Sequence, residues 1–346
     1  MSEQPVTVGE LAPALQRWAQ AQYGDGVTVS DVTKMPGNAG LSFGFSVGDG
    51  SRSARRVIRL APPGVTKRGN TVVLRQVPLL DALQRHGIPV AAVEWSSDDP
   101  AWFGTDAFVQ AFLAGAPLHM GSDAGSVPVG AEGVAPFVAN AARTLARIHA
   151  IDWRAELDGW EQPRELASDV EFWRGLQAKA AEPPMGERAE MLAVALLDTV
   201  PDAPPIGIFH GDFHTNNVMY LPDATISGVV DWEISGIGAQ PLDIGWLSIF
   251  TDPTCWAPDR QAQMRLAVDP IWLLGVYQDA AGRRVDDAAW FKAYACYRFS
   301  VIAAFNLRLH RKGYRPDPHY EELAASTYAL ADRGLELLRD PAQFAV

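Results

Sequence analysis

Hydrophobic spacing changes character along this chain. Leu11, Leu15 and Trp18 recur at helical intervals behind Thr7 and Glu10, which have the spacing of a capping box, so a first helix is predicted there. The period then shortens. VTVSDVTKM runs into the turn-rich PGNAG, SFGFSV follows, and ARRVIRL comes after the polar GDGSRS. Short alternating runs joined by tight turns predict an antiparallel sheet. Leu79, Leu80 and Leu83 predict a helix that ends at Gly87, with Pro78 kinking it or marking its start. Residues 88–94 and 107–112 read as two further strands.

From Gly115 the pattern alters again. A connector rich in Gly and Pro, 115–133, leads into 134–149, where Phe137, Ala141, Leu145 and Ile148 repeat at helical spacing. Helical patterns recur at 187–197, 261–278, 286–309 and 321–338, interrupted once by strands near Val218 and Ile226. No solenoid-type repeat is visible. The predicted architecture is α+β and bilobal: a small lobe with an antiparallel sheet over 1–110, a short strap at 111–115, and a larger, mainly helical lobe over 116–346. A ligand site is expected in a cleft between the lobes.

Composition narrows the partners. Across 346 residues, hydrophobic types make up 48% and charged types 20%, which suits a folded globular chain. The formal net charge of −12 argues against a nucleic-acid surface, which needs clustered Lys and Arg. That charge would attract a cationic ligand, although a solvated acidic surface accounts for it as well. MSEQPVTVGE lacks the features of a signal peptide, no apolar run reaches membrane-spanning length, and two cysteines make neither a disulfide framework nor a zinc site. A cytoplasmic protein is therefore expected, with Cys255 and Cys296 as free thiols. Composition leaves the oligomeric state open.

The segment richest in chemistry is HGDFHTNNVMYLPDATISGVVDWE, from His210 to Glu233. VMYL and TISGVV read as strands with PDA as the turn between them, so the segment should be a hairpin that carries Asn217 toward the Val230 and Asp231 end. Asp212 lies on the loop before it. Two carboxylates and an amide oxygen form a hard ligand set suited to Mg²⁺ shared with phosphates. The order and spacing of Asp212, Asn217 and Asp231 match a phosphoryl-transfer arrangement: a catalytic Asp, a metal-binding Asn five positions on, and a second metal-binding Asp after a hairpin. Asp212 would then orient an acceptor hydroxyl and take its proton. A competing reading takes His210, Asp212 and His214 as HxDxH ligands of a metallohydrolase, but the remaining histidines are scattered and complete no site.

HGDFHTNN, VVDWE and PLDIGW together resemble the motifs of the aminoglycoside phosphotransferase and choline kinase superfamily, in the branch that includes the domain fused to some acyl-CoA dehydrogenases. LARIHAIDW resembles the helix end that precedes its catalytic region. The likeness runs from about Met35 to the C-terminus. It implies a kinase-like fold, ATP or GTP as donor with Mg²⁺, and a small hydroxylated molecule as acceptor. Asp212 would be the base, with His210 supporting the catalytic loop, Asn217 and Asp231 the metal ligands, and Asp243 a residue that steadies the loop.

By the same resemblance, FVQAFLAG would be the hinge, with the Ala111 carbonyl and the Leu113 amide reading adenine. PGNAGLS, with Gly37 and Asn38, would cover the phosphates, although it also reads as an ordinary hairpin turn. Where the family has a paired Lys and Glu, this chain offers Arg59 and Gln76, so an ion pair is expected to be lost. That departure leaves a second reading open, a nucleotide-binding pseudokinase or regulatory module. Trp232, Trp246, Trp256, Trp272 and Trp290 read either as an aromatic acceptor wall or as core.

Overall fold

The computed structural model describes residues 6–35, 41–66, 69–121, 123–130 and 132–345. The chain divides into two compact units, residues 1–114 with 228–234, and residues 115–227 with 235–346. Among the described residues, no helix is long and apolar enough to cross a membrane.

In the first unit, α1 (Val8–Tyr23) starts on the expected capping box, with Thr7 accepting from the Glu10 amide and Glu10 accepting from the Thr7 amide. Five antiparallel strands follow: β1 (Thr28–Lys34), β2 (Leu41–Gly48), β3 (Ser53–Leu60), β4 (Val93–Ser97) and β5 (Ala107–Ala111), in the order β1-β2-β3-β5-β4. Leu11, Leu15 and Trp18 of α1 pack on Phe43, Phe45 and Val47 of β2 and on Ile58 and Leu60 of β3. Spacings of four and three on the helix meet a spacing of two on the strands, so both sets present one face. Burying each of these large side chains contributes roughly 1.5–3 kcal/mol.

The second helix, α2 (Gln76–Arg85), places Pro78 in its first turn, where a missing amide costs nothing, and Gly87 follows with φ +66°. One strand differs from expectation. Residues 88–92 of the expected run are outside any strand, and the ladder forms later, at Val93–Ser97, where Val93 faces Gln110 and Ser97 faces Ala107.

The second unit is built around a long helix. Helices α3 (Ala135–His149), α4 (Leu166–Gln177) and α5 (Pro183–Asp198) precede a two-stranded ribbon of β6 (Ile206–Phe209) and β9 (Gly236–Ala239). Between them runs the expected hairpin, β7 (Val218–Tyr220) and β8 (Ile226–Val229), whose turn is closed by the Leu221 amide donating to the Thr225 carbonyl. Helices α6 (Pro241–Thr251), α7 (Pro270–Ala281), α8 (Ala288–Arg311) and α9 (Ala324–Arg339) complete the unit.

Helix α8 is buried on most of its circumference and packs against α4, α5, α6 and α9. Gly245 of α6 lies so close to the α8 backbone that a Cβ would sit 2.5 Å from the Phe291 carbonyl oxygen, which explains glycine in PLDIGW. The single helix expected over 261–278 is instead two, Pro258–Gln263 and α7, because Asp269 caps a new start at Pro270.

Candidate active site

Strand β6 ends at Phe209 and delivers His210, Gly211 and Asp212 into a loop held by α6. Asp243, in the first turn of α6 and fully buried, accepts from the His210 amide and the Gly211 amide, both at 2.7 Å. His149 Nε2 lies 3.2 Å from the same carboxylate, and Tyr277 Oη lies 2.7 Å from His149 Nδ1. Burial pushes the His149 pKa down, against the pull of Asp243, so the ring is neutral, donating to Asp243 and accepting from Tyr277. Gly211 has φ +84°, a conformation that costs a side-chain-bearing residue about 1 kcal/mol or more. Three donors on one buried carboxylate thus fix the loop before the hairpin begins.

Asp212 projects from that loop and is half-buried. Trp246 Nε1 donates to its Oδ1 at 2.8 Å, and His214 Nε2 lies 3.4 Å from the same atom. Asn217 Nδ2 donates to both the Asp212 carbonyl and its Oδ2, each at 3.0 Å. Burial works to raise the Asp212 pKa, but the positive potential of His214, Arg298 and His210 outweighs it and holds the carboxyl well below its ordinary range. The group is a carboxylate with its neighbours already in place. Because the Asn217 amide nitrogen faces Asp212, its Oδ1 is the atom left for a cation.

His210 is fully buried, and its Nδ1 accepts from the Asp212 amide at 3.2 Å. His214 stacks on Phe250 with ring centroids 4.6 Å apart. The HxDxH alternation therefore makes no ligand set, and among the described residues no group of three or more His, Cys, Asp or Glu side chains is placed to hold a metal.

In the first unit, Asp231 follows β8 with φ +66°, unusual for a residue other than glycine and tolerated by Asp. Its side chain is 46% exposed. Arg59 of β3, Gln76 of α2, Asp231 and Trp232 line one recess with Ala91 and Gln110. The pairing of Arg59 departs from expectation. Its guanidinium makes an ion pair with Glu233, in direct contact, and stands 4.0 Å from Asp231.

Arg75 adds a 3.1 Å bond from Nη1 to the Glu233 carbonyl. The ion pair expected to be lost is rebuilt with a different acid, two residues beyond Asp231 instead of on the helix. Burial pushes the Glu233 carboxyl up to about 7, with Arg59 opposing the rise and Asp231 adding to it.

Ala111 closes β5, its amide donating to the Ala92 carbonyl at 2.9 Å, while the Phe112 amide donates to Arg55. The Leu113 amide has no such bond among the described residues. Gly37 and Asn38 lie outside the described residues. Of the tryptophans, Trp232 and Trp256 are core, Trp290 donates to the Leu196 carbonyl, Trp272 is exposed, and only Trp246 reaches Asp212.

The profile of the phosphotransferase enzyme family matches residues 35–275. The chain belongs to that family. Its relatives include the probable acyl-CoA dehydrogenase IBR3 of Arabidopsis thaliana, 28% identical over 232 residues, 61% of this chain and 26% of that protein. The chain thus spans about a quarter of the length of that relative.

Among solved structures, a candidate aminoglycoside phosphotransferase of Ralstonia eutropha superposes with a TM-score of 0.73 at 22% identity, covering 94% of this chain and 98% of the other. A thermostable mutant of aminoglycoside phosphotransferase APH(4)-Ia, in ternary complex with AMP-PNP and hygromycin B, superposes with a TM-score of 0.56 at 13% identity over 95% and 99%. The chain therefore has the kinase-like fold, with a five-stranded antiparallel sheet in one unit and helices dominating the other.

Proposed function

We propose that this phosphotransferase moves the γ-phosphate of ATP or GTP to a hydroxyl of a small molecule, with Asp212 as base and Asn217 and Asp231 as magnesium ligands. The observation that carries this reading is the Asp212 carboxylate, held ionised and gripped by Trp246 and Asn217 on a loop that Asp243 fixes. Membership of the phosphotransferase family supports the reaction class.

The donor set suits magnesium: an amide oxygen whose nitrogen is engaged elsewhere and a half-exposed carboxylate, both hard ligands. When bound, the ion would neutralise charge on the donor phosphates. Asp212 accepts a hydrogen bond from the acceptor hydroxyl and orients its oxygen in line with the γ-phosphorus. As the new O–P bond forms, the bond from phosphorus to the β–γ bridging oxygen breaks, the nucleoside diphosphate leaves with that electron pair, and the hydroxyl proton passes to Asp212. A carboxylate below the ordinary range is a weak base, which suits a loose transition state in which proton transfer comes late. Arg59, steadied by Glu233, supplies positive charge for the phosphates, and Leu113 with Ala111 reads the base of the nucleotide.

A second reading, a nucleotide-binding regulatory module, draws on one observation: Arg59 is committed to Glu233. Incubation with magnesium, ATP or GTP and a broad panel of hydroxylated compounds, with phosphorus NMR of the products, separates the two. A phosphate monoester formed only with magnesium supports the kinase. Tight magnesium-nucleotide binding with no ester from any compound supports the module.

A further inference from the structure

Beside the Asp212 loop stands a cation whose charge helps hold Asp212 ionised but to which the reaction above gives no ligand. Arg298, on α8, donates from Nη1 to the Gly211 carbonyl at 2.6 Å. Its guanidinium carbon lies 4.4 Å from the ring centroid of Trp246 and 5.1 Å from that of Trp173. Trp246 is the same indole whose Nε1 donates to Asp212, so Arg298 is one ring removed from the base. Among the described residues it makes no ion pair, its Nε is buried without a hydrogen-bond partner, and its Nη2 has none. Asp169, on neighbouring α4, is engaged by the Tyr294 hydroxyl.

One bond to a carbonyl meets a small part of what a guanidinium with five N–H donors requires when partly removed from water. Steadying the loop explains the Gly211 bond, and Asp212 offers an opposite charge nearby, but neither gives Nη2 a partner. The aromatic faces also bear on the acceptor. Indoles attract cations, and here two of them already hold the protein's own cation. An ammonium-bearing acceptor placed against them would meet a like charge.

We infer that Arg298 is a specificity-determining residue that binds an oxyanion of the acceptor, so that the acceptor carries a carboxylate or a phosphate near the hydroxyl it presents to Asp212. The outer Nη1–Nη2 edge offers two N–H groups to two oxygens, the arrangement that favours arginine over lysine for such groups. The inference rests on the acceptor lying beside Asp212, as the proposed function has it.

The test titrates the full-length protein, by calorimetry and tryptophan fluorescence, with 3-hydroxybutyrate and glycerol 3-phosphate. Their uncharged counterparts 1,3-butanediol and glycerol, and choline as a cation, are titrated alongside. At least one anion is expected to bind tenfold or more tighter than its counterpart, roughly the effect of a charge-assisted hydrogen bond. Which anion does so tells carboxylate from phosphate.

Arg298→Gln should abolish that preference while leaving the neutral compound's affinity as it was. Choline or a neutral compound binding as tightly as the anions would overturn the inference. So would a variant that weakens anion and neutral compound by the same factor, the mark of a purely structural role. Should the variant not fold, the comparison on the unmodified protein decides alone. Anion binding that depends on Arg298 with no phosphate transfer to any compound would sink the kinase and leave this inference standing. Transfer to a neutral acceptor, indifferent to Arg298, would do the reverse.

Discussion

Replacing Asp243 by Asn tests whether the loop is held as described. The carboxylate accepts from two backbone amides, at His210 and Gly211, and from His149 Nε2, and it is fully buried. An amide has one oxygen. Whichever way it turns, its NH₂ faces either the Gly211 N–H or the side shared by His210 and His149. At least one buried backbone donor is then unpaired, at about 1–3 kcal/mol, and the remaining bonds lose their charge assistance. A total of about 3 kcal/mol follows, which for a unit of this size lowers Tm by roughly 6–12 °C.

The same loss frees the loop that carries Asp212, so kcat should fall at least about tenfold. Differential scanning calorimetry and the transfer assay on the same preparation read both effects. A Tm within about 2 °C of the parent, with activity within twofold, would refute the assignment of Asp243 as the anchor of the loop.

Two further outcomes follow from named groups. Asp231→Ala should remove the magnesium-dependent part of nucleotide binding while leaving the fold intact, so calorimetry with and without magnesium should give one affinity; an undiminished magnesium effect would contradict its role as a ligand. Lys292→Met should cost about 3–5 kcal/mol, because Lys292 Nζ lies 2.5 Å from Asp252 Oδ2 and both side chains are buried.

The pH dependence should also reverse. In the parent, burial raises the Asp252 pKa but Lys292 and Thr254 lower it more, so this pair stabilises above about pH 4 and loses its contribution as pH falls through the folded value. In the variant, burial is the largest influence on Asp252 and is opposed by Thr254 alone, so the folded state binds an extra proton and stability falls as pH rises from about 4 toward 7. Urea denaturation showing Lys292→Met more stable at pH 8 than at pH 5 would contradict this.

Local signals carried far in this chain. The capping box at Thr7 and Glu10, the helical spacing of Leu11, Leu15 and Trp18, and the turn between β7 and β8 all act through neighbours in sequence, and each reappears as expected. What escaped was set by distant partners. Strand β4 starts five residues later than its hydrophobic run because pairing with β5, and not propensity, decides where a ladder forms. Helix α4 shows too little periodicity to be seen without the helices it packs on.

At the site, Glu233 could not be chosen as the partner of Arg59 from sequence, since 174 positions separate them. Gln76 was the expected neighbour of Arg59, with the ion pair lost, and no local pattern points to Glu233 instead. Trp246 reaches the Asp212 loop from α6 and was one of five tryptophans read either as an acceptor wall or as core, whereas nothing in the pattern of α8 points Arg298 at that loop.

The most direct measurement is single-turnover transfer of labelled γ-phosphate to the best acceptor found, comparing the parent with Asp212→Ala at saturating magnesium-nucleotide. The carboxylate as base and orienter predicts a rate at least about a hundredfold lower with nucleotide affinity unchanged. A fall of less than about tenfold would contradict it and remove Asp212 from the reaction.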